Sequence, residues 1–509
     1  MHPLVYYPSQ KTNPPTGETV ASPVTISCGV GFAALPFDVR KLECDAFVGI
    51  SASGDHLFLT QIEIDALITK PDKIPARRRA EMTARYFLPN HGRNVGKERL
   101  LESRRAAKRE TVSTGPALHI IVPTLQCGHT CQYCQVSRAQ TDSGFSMTTA
   151  VLEAVVDRIW ESDADDLTIE FQGGDPLLRF DLIVLAVEKL ARLNQAREKR
   201  LRFVVASTLH QLTEEMCDFF RTHKVVLSTS LDGPEELHNR NRPVPSRDSF
   251  RKTLDGISLA RRRIGKHAVS ALMTTTRASM AFPEQIVDEY VRLGFSEIFL
   301  RPLSIYGFAK RNLSRLGYSS EQFQDFYARA LARIFWWNQQ GVPLREVYMS
   351  VIMNKVLSTF DAGYVDLQSS IGSGTTVLVY NYDGWVYPSD EARMLVETGD
   401  VSLRMGRVTD SMQKLLSSGI GKRMREASEA ASADCISCAY RHYCGPNPVD
   451  SQAQFGRPDV RAHETEHCKR HQWLFDTAFT LLYTADSELE ELLYFWARPT
   501  STKEDTCDV

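Results

Sequence analysis

The chain has 509 residues, of which 43% are apolar and 24% are charged. This is ordinary globular composition, and the net charge of −2 gives no reason to expect a nucleic acid or a membrane surface as a partner. Because a domain usually holds about 100 to 150 residues, we expect about three structural units.

Residues 1–29 are rich in Pro, Thr and Ser and lack the apolar run of a signal peptide or a membrane span. We therefore expect a flexible leader on a soluble, cytoplasmic protein. Residues 30–92 predict a small domain in which two strands, over 45–51 and 56–59, are followed by helices. Thr60 and Glu63 are spaced as a capping box that opens the first of these helices.

The second helix is expected to begin near Pro75 and to bury Met82, Tyr86 and Phe87. The charged run 97–110 lies within the segment 93–116, which we interpret as a solvent-exposed linker helix.

Residues 117–306 alternate apolar strands with amphipathic helices, which predicts a parallel sheet covered by helices. The fold class is therefore α/β, with an open or partial (β/α)6 barrel whose chemistry lies at the carboxyl ends of the strands. The six expected strands are 118–125, 167–171, 202–207, 225–231, 269–274 and 297–302.

Three further segments follow the predicted barrel. Residues 307–370 predict a helical connection, and residues 371–475 contain a hairpin around Asp383-Gly384 and then a group of cysteines. Residues 476–509 predict a C-terminal helix and a tail.

Seven of the eleven cysteines fall into two groups. Grouped cysteines in a cytosolic chain usually bind metal, whereas disulfide frameworks belong to short secreted domains. The first group is Cys127, Cys131 and Cys134, and the second is Cys435, Cys438, Cys444 and Cys468.

Three thiolates on one short loop can hold three irons of a [4Fe-4S] cube and leave the fourth iron open. The segment Cys127-Gly-His-Thr-Cys131-Gln-Tyr-Cys134 resembles the cluster loop of the radical S-adenosylmethionine (SAM) superfamily. The resemblance implies that SAM binds the open iron, is cleaved reductively and yields a radical that abstracts hydrogen from a substrate. A zinc site with His129 as the fourth ligand is the alternative.

The segment Gly173-Gly174-Asp175-Pro176 resembles the Gly-Gly-Glu-Pro segment of the same superfamily. The resemblance implies that Gly173, Gly174 and Asp175 bind the SAM ammonium group, although Asp is one methylene shorter than Glu. Ser230, after the fourth strand, is a second candidate SAM contact, and an ordinary Ser-x-Asp-Gly turn is its alternative. The pair Ser207-Thr208 also resembles a segment near SAM.

The second cysteine group resembles the SPASM extension of radical SAM peptide maturases, which binds auxiliary clusters. Three expected ligand positions of a second auxiliary cluster are occupied by Ile371, Ser389 and Pro448. The resemblance therefore implies one auxiliary [4Fe-4S] cluster on the four remaining cysteines. Structural zinc on the same thiolates is the alternative.

Asp390 is a candidate catalytic base, because anaerobic sulfatase-maturing enzymes, a related group, use an Asp at the matching place. The alternative is that Asp390 pairs with Arg393 or caps a turn.

The closest resemblance is to the maturases of His-Xaa-Ser systems, carried by segments such as Glu170-Phe-Gln-Gly173-Gly174 and Ser389-Asp-Glu-Ala-Arg393. It implies a ribosomally made precursor peptide as substrate, a cross-link as product, a flavodoxin or ferredoxin as electron donor, and a winged-helix-like peptide-recognition domain at residues 30–92. The alternatives are a formylglycine-generating, sulfatase-maturing enzyme and a zinc-stabilised, non-catalytic peptide-binding protein.

Overall fold

The computed structural model describes residues 25–26, 34–89, 115–136, 138–358 and 373–498. The predicted leader, apart from residues 25–26, and the charged run 97–110 lie outside the described residues, as does Ile371. No helix in the described ranges is both long and apolar enough to span a bilayer.

The strands are numbered in chain order. They are β1 (Thr25–Ile26), β2 (Phe37–Lys41), β3 (Phe47–Ser51), β4 (His56–Leu59), β5 (Leu118–Thr124), β6 (Asp166–Gly173), β7 (Arg200–Ala206), β8 (Val226–Ser230), β9 (Val269–Thr274), β10 (Glu297–Ile298), β11 (Leu300–Arg301), β12 (Arg345–Glu346), β13 (Val377–Tyr380), β14 (Trp385–Tyr387) and β15 (Gly406–Arg407).

The α-helices are numbered in the same way. They are α1 (Gln61–Thr69), α2 (Ala76–Ala84), α3 (Thr149–Trp160), α4 (Phe180–Asn194), α5 (Glu214–Thr222), α6 (Glu235–Asn241), α7 (Ser249–Arg263), α8 (Pro283–Arg292), α9 (Gly307–Arg311), α10 (Leu313–Leu316), α11 (Ser320–Gln339), α12 (Val347–Leu357), α13 (Asp390–Val396), α14 (Met412–Leu416), α15 (Gly419–Asp434), α16 (Pro448–Phe455), α17 (Glu466–Thr484) and α18 (Ser487–Ala497).

The main sheet has nine strands in the order β11-β9-β8-β7-β6-β5-β13-β14-β15. Strands β5 to β9 and β11 are parallel, and each connection between neighbours in this part contains a helix. Continuous apolar strands such as β5 are buried on both faces, as a parallel sheet between helices requires. The predicted α/β class and the parallel core are therefore confirmed.

The sixth predicted strand, 297–302, is divided into β10 and β11. β10 pairs with β12, whereas β11 pairs with β9. The cause is the buried Glu346 at the start of α12, whose carboxylate accepts hydrogen bonds from the backbone N–H of Leu300 at 3.1 Å and of Met349 at 2.6 Å. A side chain therefore replaces a strand neighbour at this point.

The predicted hairpin around Asp383-Gly384 is present as β13 and β14. β13 also pairs in parallel with β5, from Val377 opposite Leu118 to Tyr380 opposite Ile121, so the hairpin extends the main sheet. Met394 and Leu395 of helix α13 belong to one buried apolar cluster with Ile120 and Val122 of β5. The segment after the barrel therefore shares a hydrophobic core with the first strand of the barrel.

The N-terminal sheet has four strands in the order β1-β2-β3-β4, not the two that the sequence predicted. The capping box of Thr60 and Glu63 opens α1, as expected. Met82 is buried within α2, but Tyr86 and Phe87 follow the end of that helix, and Tyr86 has a φ of 63°. The second helix is therefore shorter than predicted, because it ends at Ala84, before Tyr86 and Phe87.

Candidate functional site

The first cysteine group lies on the loop that follows β5, at the carboxyl edge of the parallel strands. Three distant segments hold the backbone of this loop. The N–H of Thr130 donates to Pro243 O at 2.9 Å, the N–H of Phe308 donates to Cys134 O at 2.9 Å, and Asn312 Nδ2 donates to Gln132 O at 3.0 Å. Three segments that are distant in sequence therefore position the loop.

A buried polar network secures the same loop from below. The Tyr133 hydroxyl donates to Asp232 Oδ2 at 2.7 Å and accepts from Arg242 Nη1 at 2.7 Å. Burial raises the pKa of the Asp232 carboxyl, and the Arg242 guanidinium opposes that rise. Sequence reasoning missed Arg242, because no local pattern around it indicates that it lies under a loop more than one hundred residues earlier.

The three thiols of the loop affect one another electrostatically. Burial, followed by the nearby Asp175 carboxylate, raises the pKa of Cys127 to about 12, and Cys131 and Cys134 contribute to the same rise. Burial raises the pKa of Cys131 to about 11, although Arg242 opposes it. The raised pKa values of Cys127 and Cys131 favour their neutral thiol forms, so a metal must replace the two protons to bind.

Gly173, the last residue of β6, and Gly174, which follows it, allow the end of this strand to meet the backbone of the loop after β5. A Cβ added at Gly173, where φ is +122°, would lie 2.5 Å from Thr124 O, and one added at Gly174 would lie 2.1 Å from Gln126 O. These oxygens accept hydrogen bonds, from Gly174 N to Thr124 O at 2.9 Å and from Asp175 N to Gln126 O at 2.7 Å. The predicted glycine segment is therefore joined to the loop that bears Cys127.

Asp175 is buried, and its carboxylate is engaged in hydrogen bonds within the protein. Its carboxylate accepts hydrogen bonds from Ser207 Oγ at 2.7 Å, from Thr208 Oγ1 at 2.5 Å and from the N–H of Leu177 at 3.2 Å. The side chain therefore ties the loop after β6 to the loop after β7. The shorter Asp side chain serves a structural purpose here, and a direct contact to SAM from this carboxylate stays a prediction.

Replacing Gly174 by alanine is expected to disrupt the first cysteine loop, because the new methyl group would meet backbone atoms that have no freedom to rotate away. We expect the variant to recover less than half of the iron that the wild type takes up on reconstitution. The control is Gly419→Ala, since no atom lies within 4 Å of a Cβ at that position. Equal iron uptake by the two variants would contradict this account of the glycine.

Two further side chains near the loop have definite surroundings. His129 is buried, its ring lies 4.4 Å from the ring of His210, and burial together with Arg242 lowers its pKa to about 2. Its Nε2 has no hydrogen-bond partner among the described residues. Ser230 is the last residue of β8 and is half-buried at the carboxyl edge. These surroundings do not test whether His129 binds a metal or whether Ser230 contacts SAM.

The second cysteine group gathers around the start of α17. Cys438 N donates to Cys435 O at 2.9 Å, and Cys468 N donates to the Thr465 hydroxyl that caps α17, at 3.1 Å. Burial is the main cause of the raised pKa of Cys444, and the charges of Cys438, Cys468 and Cys435 add to it. The four cysteines that the sequence grouped are therefore neighbours in space.

The N-terminal sheet packs against this second group. Arg40 makes two hydrogen bonds to the carboxylate of Asp476, at 2.9 and 2.6 Å, and Arg441 pairs with the buried Asp38 at 2.9 Å. The Tyr443 hydroxyl donates to Gly54 O at 2.6 Å. The small domain is therefore connected to the C-terminal cysteines, a contact that no sequence pattern indicated.

Both groups have donor chemistry that suits iron–sulfur clusters, with three thiols on one loop and four in the other set. In the described ranges, however, no three His, Cys, Asp or Glu side chains are already arranged around a point that could hold one metal ion. The residues present fit the predicted clusters by type and neighbourhood. Ligation by these particular cysteines stays a prediction.

Ser389 and Pro448, which occupy positions where the resemblance leads us to expect cysteines, lie at the starts of helices. Ser389 caps α13, accepting from the N–H of Ala392 at 3.2 Å, and Pro448 is the first residue of α16. Asp390 follows Ser389, and its Oδ1 accepts from Arg393 Nε at 3.3 Å. The ion pair that was the alternative for Asp390 is present, and this pair does not test a catalytic role.

The comparisons with known proteins identify the domain that contains the first cysteine group. The sequence profile of the Radical SAM superfamily matches residues 121–289. The chain contains a radical SAM domain. The radical SAM superfamily uses a [4Fe-4S] cluster and SAM, so the predicted radical SAM domain and these two cofactors are confirmed.

The chain is also similar to enzymes that act on proteins and peptides. It is 21% identical to the cysteine-type anaerobic sulfatase-maturating enzyme of Clostridium perfringens, over 72% of this chain and 96% of that one. Its fold resembles anSMEcpe solved with AdoMet and the Kp18Cys peptide, with a TM-score of 0.61, 17% identity and coverage of 75% and 100%. It also resembles Streptococcus suis SuiB bound to the precursor peptide SuiA, with a TM-score of 0.51, 11% identity and coverage of 86% and 98%.

Proposed function

We propose that this chain is a radical SAM maturase that modifies a ribosomally made precursor peptide, with a cross-link as the product. The observation that carries the proposal is the junction of the two loops after β5 and β6, where Asp175 N donates to Gln126 O. It brings the cysteine triplet and the glycine segment to one edge of the sheet, where the chemistry of such sheets takes place.

In this proposal Cys127, Cys131 and Cys134 hold the cluster, while Gly173, Gly174 and Asp175 bind the ammonium group of SAM. Ser230 is the second candidate SAM contact. When bound and reduced, the cluster supplies the electron that cleaves SAM and so produces the radical that abstracts hydrogen. The protein contributes by fixing the loop through Tyr133 and Arg242.

The second cysteine group is proposed to hold one auxiliary [4Fe-4S] cluster. A cross-link removes two hydrogens from the peptide, one as an atom taken by the radical and one as a proton with an electron left over. A cluster on Cys435, Cys438, Cys444 and Cys468 would accept that electron. Ser389 and Pro448 favour a single auxiliary cluster, because each of them begins a helix and neither supplies a thiolate.

The N-terminal sheet is proposed to bind the leader of the precursor by adding it as a strand. The outer edge of β4 is not free, because Arg78 and Arg85 donate to the carbonyl oxygens of Phe58 and His56. Among the described residues, β1 pairs with β2 at Phe37 and Asp38, and we assign the rest of the β2 edge to the leader. A cytoplasmic location belongs to the same proposal, since reducing conditions protect thiolate ligands.

Asp390 is proposed as the base that removes the proton after hydrogen abstraction. We expect Asp390→Asn to form 5′-deoxyadenosine at the wild-type rate and to lower the yield of modified peptide at least tenfold, measured by mass spectrometry. The control is Glu391→Gln, which changes the next carboxylate along the chain. Full product yield in Asp390→Asn would leave the Arg393 ion pair as the purpose of this residue.

A second candidate is the generation of formylglycine, favoured by the match to nearly the whole length of the sulfatase-maturating relative. The test is to incubate the reconstituted enzyme with SAM and a reductant and either its precursor peptide or a sulfatase-derived Ser or Cys peptide. A product that has lost two hydrogens and is unreactive with a hydrazide supports the cross-link. A hydrazide-reactive aldehyde in the sulfatase peptide supports the alternative.

A further inference from the structure

A cavity of about 560 Å³ lies beside the first cysteine loop. Gln132 and Tyr133 form part of its wall, and these two residues stand between Cys131 and Cys134 in the chain. The remaining wall comes from the end of α6, the segment after β9 and helix α10. The backbone that bears the predicted cluster ligands is therefore itself a wall of the cavity.

The rim of this cavity is strongly basic. Arg240, Arg277 and Arg315 line it, and all three are exposed. Arg277 is anchored by a hydrogen bond from Nε to Gly317 O at 2.7 Å. Among the ion pairs of the described residues, none includes any of these three guanidinium groups, whereas many other arginines of the chain pair with a carboxylate.

Three unpaired positive charges around one opening attract an acidic partner. Phe282, 37% exposed, adds an apolar surface to the same rim, as protein interfaces commonly have. A cluster held by the neighbouring loop must receive electrons from outside the chain. Electron transfer weakens steeply with distance, which favours a donor that binds where the loop forms the surface.

We propose that this basic cavity is the docking site of an acidic one-electron donor protein of the flavodoxin or ferredoxin class. The proposal rests on the proposed function, because it requires a cluster on the loop 127–134. Each electron that the cluster gains oxidises the donor by one electron. Arg240 and Arg315 steer the donor to the rim, and the wall at Gln132 and Tyr133 sets the short path to the cluster.

The test separates docking from chemistry by using two reductants. Reconstituted enzyme is assayed for 5′-deoxyadenosine with dithionite, which needs no docking site, and with a flavodoxin reduced by its NADPH-dependent reductase. The variant Arg240→Glu/Arg315→Glu is expected to keep the wild-type rate with dithionite and to raise the KM for flavodoxin roughly tenfold or more. Arg277 is left unchanged because it anchors the segment at Gly317.

The matched control is Arg192→Glu/Arg262→Glu, which makes the same change in net charge. Both control residues are exposed and lie in the last turns of α4 and α7, near the opposite edge of the sheet. The milder variant Arg240→Gln/Arg315→Gln serves if the charge reversal fails to fold. An equal KM for flavodoxin in the docking and control variants would overturn the docking site, whereas absence of dithionite-driven cleavage in the wild type would instead overturn the proposed function.

Discussion

Cys444→Ala is expected to lower the iron content of the reconstituted protein from about eight atoms to about four, as one of two cubes is lost. Cys444 is the informative choice, because Cys435, Cys438 and Cys468 all lie close enough to raise the pKa of its thiol. The remaining cube on the loop after β5 should still cleave SAM with dithionite. The yield of modified peptide should fall sharply, since the electron left after hydrogen abstraction would have no acceptor.

Cys44→Ala is the control for this variant, because Cys44 is also half-buried but belongs to neither group. Iron is measured by plasma mass spectrometry together with zinc. One zinc per chain and about four irons in the wild type would make the second group a structural zinc site. About twelve irons would show that the positions of Ile371, Ser389 and Pro448 do not mark a lost cluster.

Local patterns predicted most of the parallel core. The first five strands of the barrel were expected within two residues of their ends, because continuous apolar runs between amphipathic helices leave few alternatives. The sixth strand could not be predicted correctly, since its division depends on Glu346, a residue almost fifty positions later. The pairing of β13 with β5 was missed for the same reason, as strand partners distant in sequence leave no periodic signal.

The site shows the same division between local and distant information. The cysteine spacing and the Gly173-Gly174 pair could be read from short segments, because each is a local geometric requirement. The role of Asp175 as the link to Ser207 and Thr208 depends on three loops that meet only in the folded sheet. The contact of the N-terminal sheet with Asp476 and Arg441 likewise required the structure, since opposite charges in a sequence do not reveal their partners.

We propose that Cys127, Cys131 and Cys134 hold a cluster with an iron open to SAM. Cys131 is the most deeply buried of the three, so its replacement removes the ligand least able to be substituted by water. Cys131→Ala is expected to lose about four irons and to form no 5′-deoxyadenosine above background, whereas Cys444→Ala, with the same iron loss, should retain it.

The most direct measurement is made on Cys444→Ala, whose reduced spectrum should contain the signal of the first cluster alone. Electron paramagnetic resonance is recorded with and without SAM, and 5′-deoxyadenosine is then quantified after warming. Our account predicts that SAM shifts the signal and that 5′-deoxyadenosine forms. A signal unchanged by SAM, with no 5′-deoxyadenosine, would contradict the account.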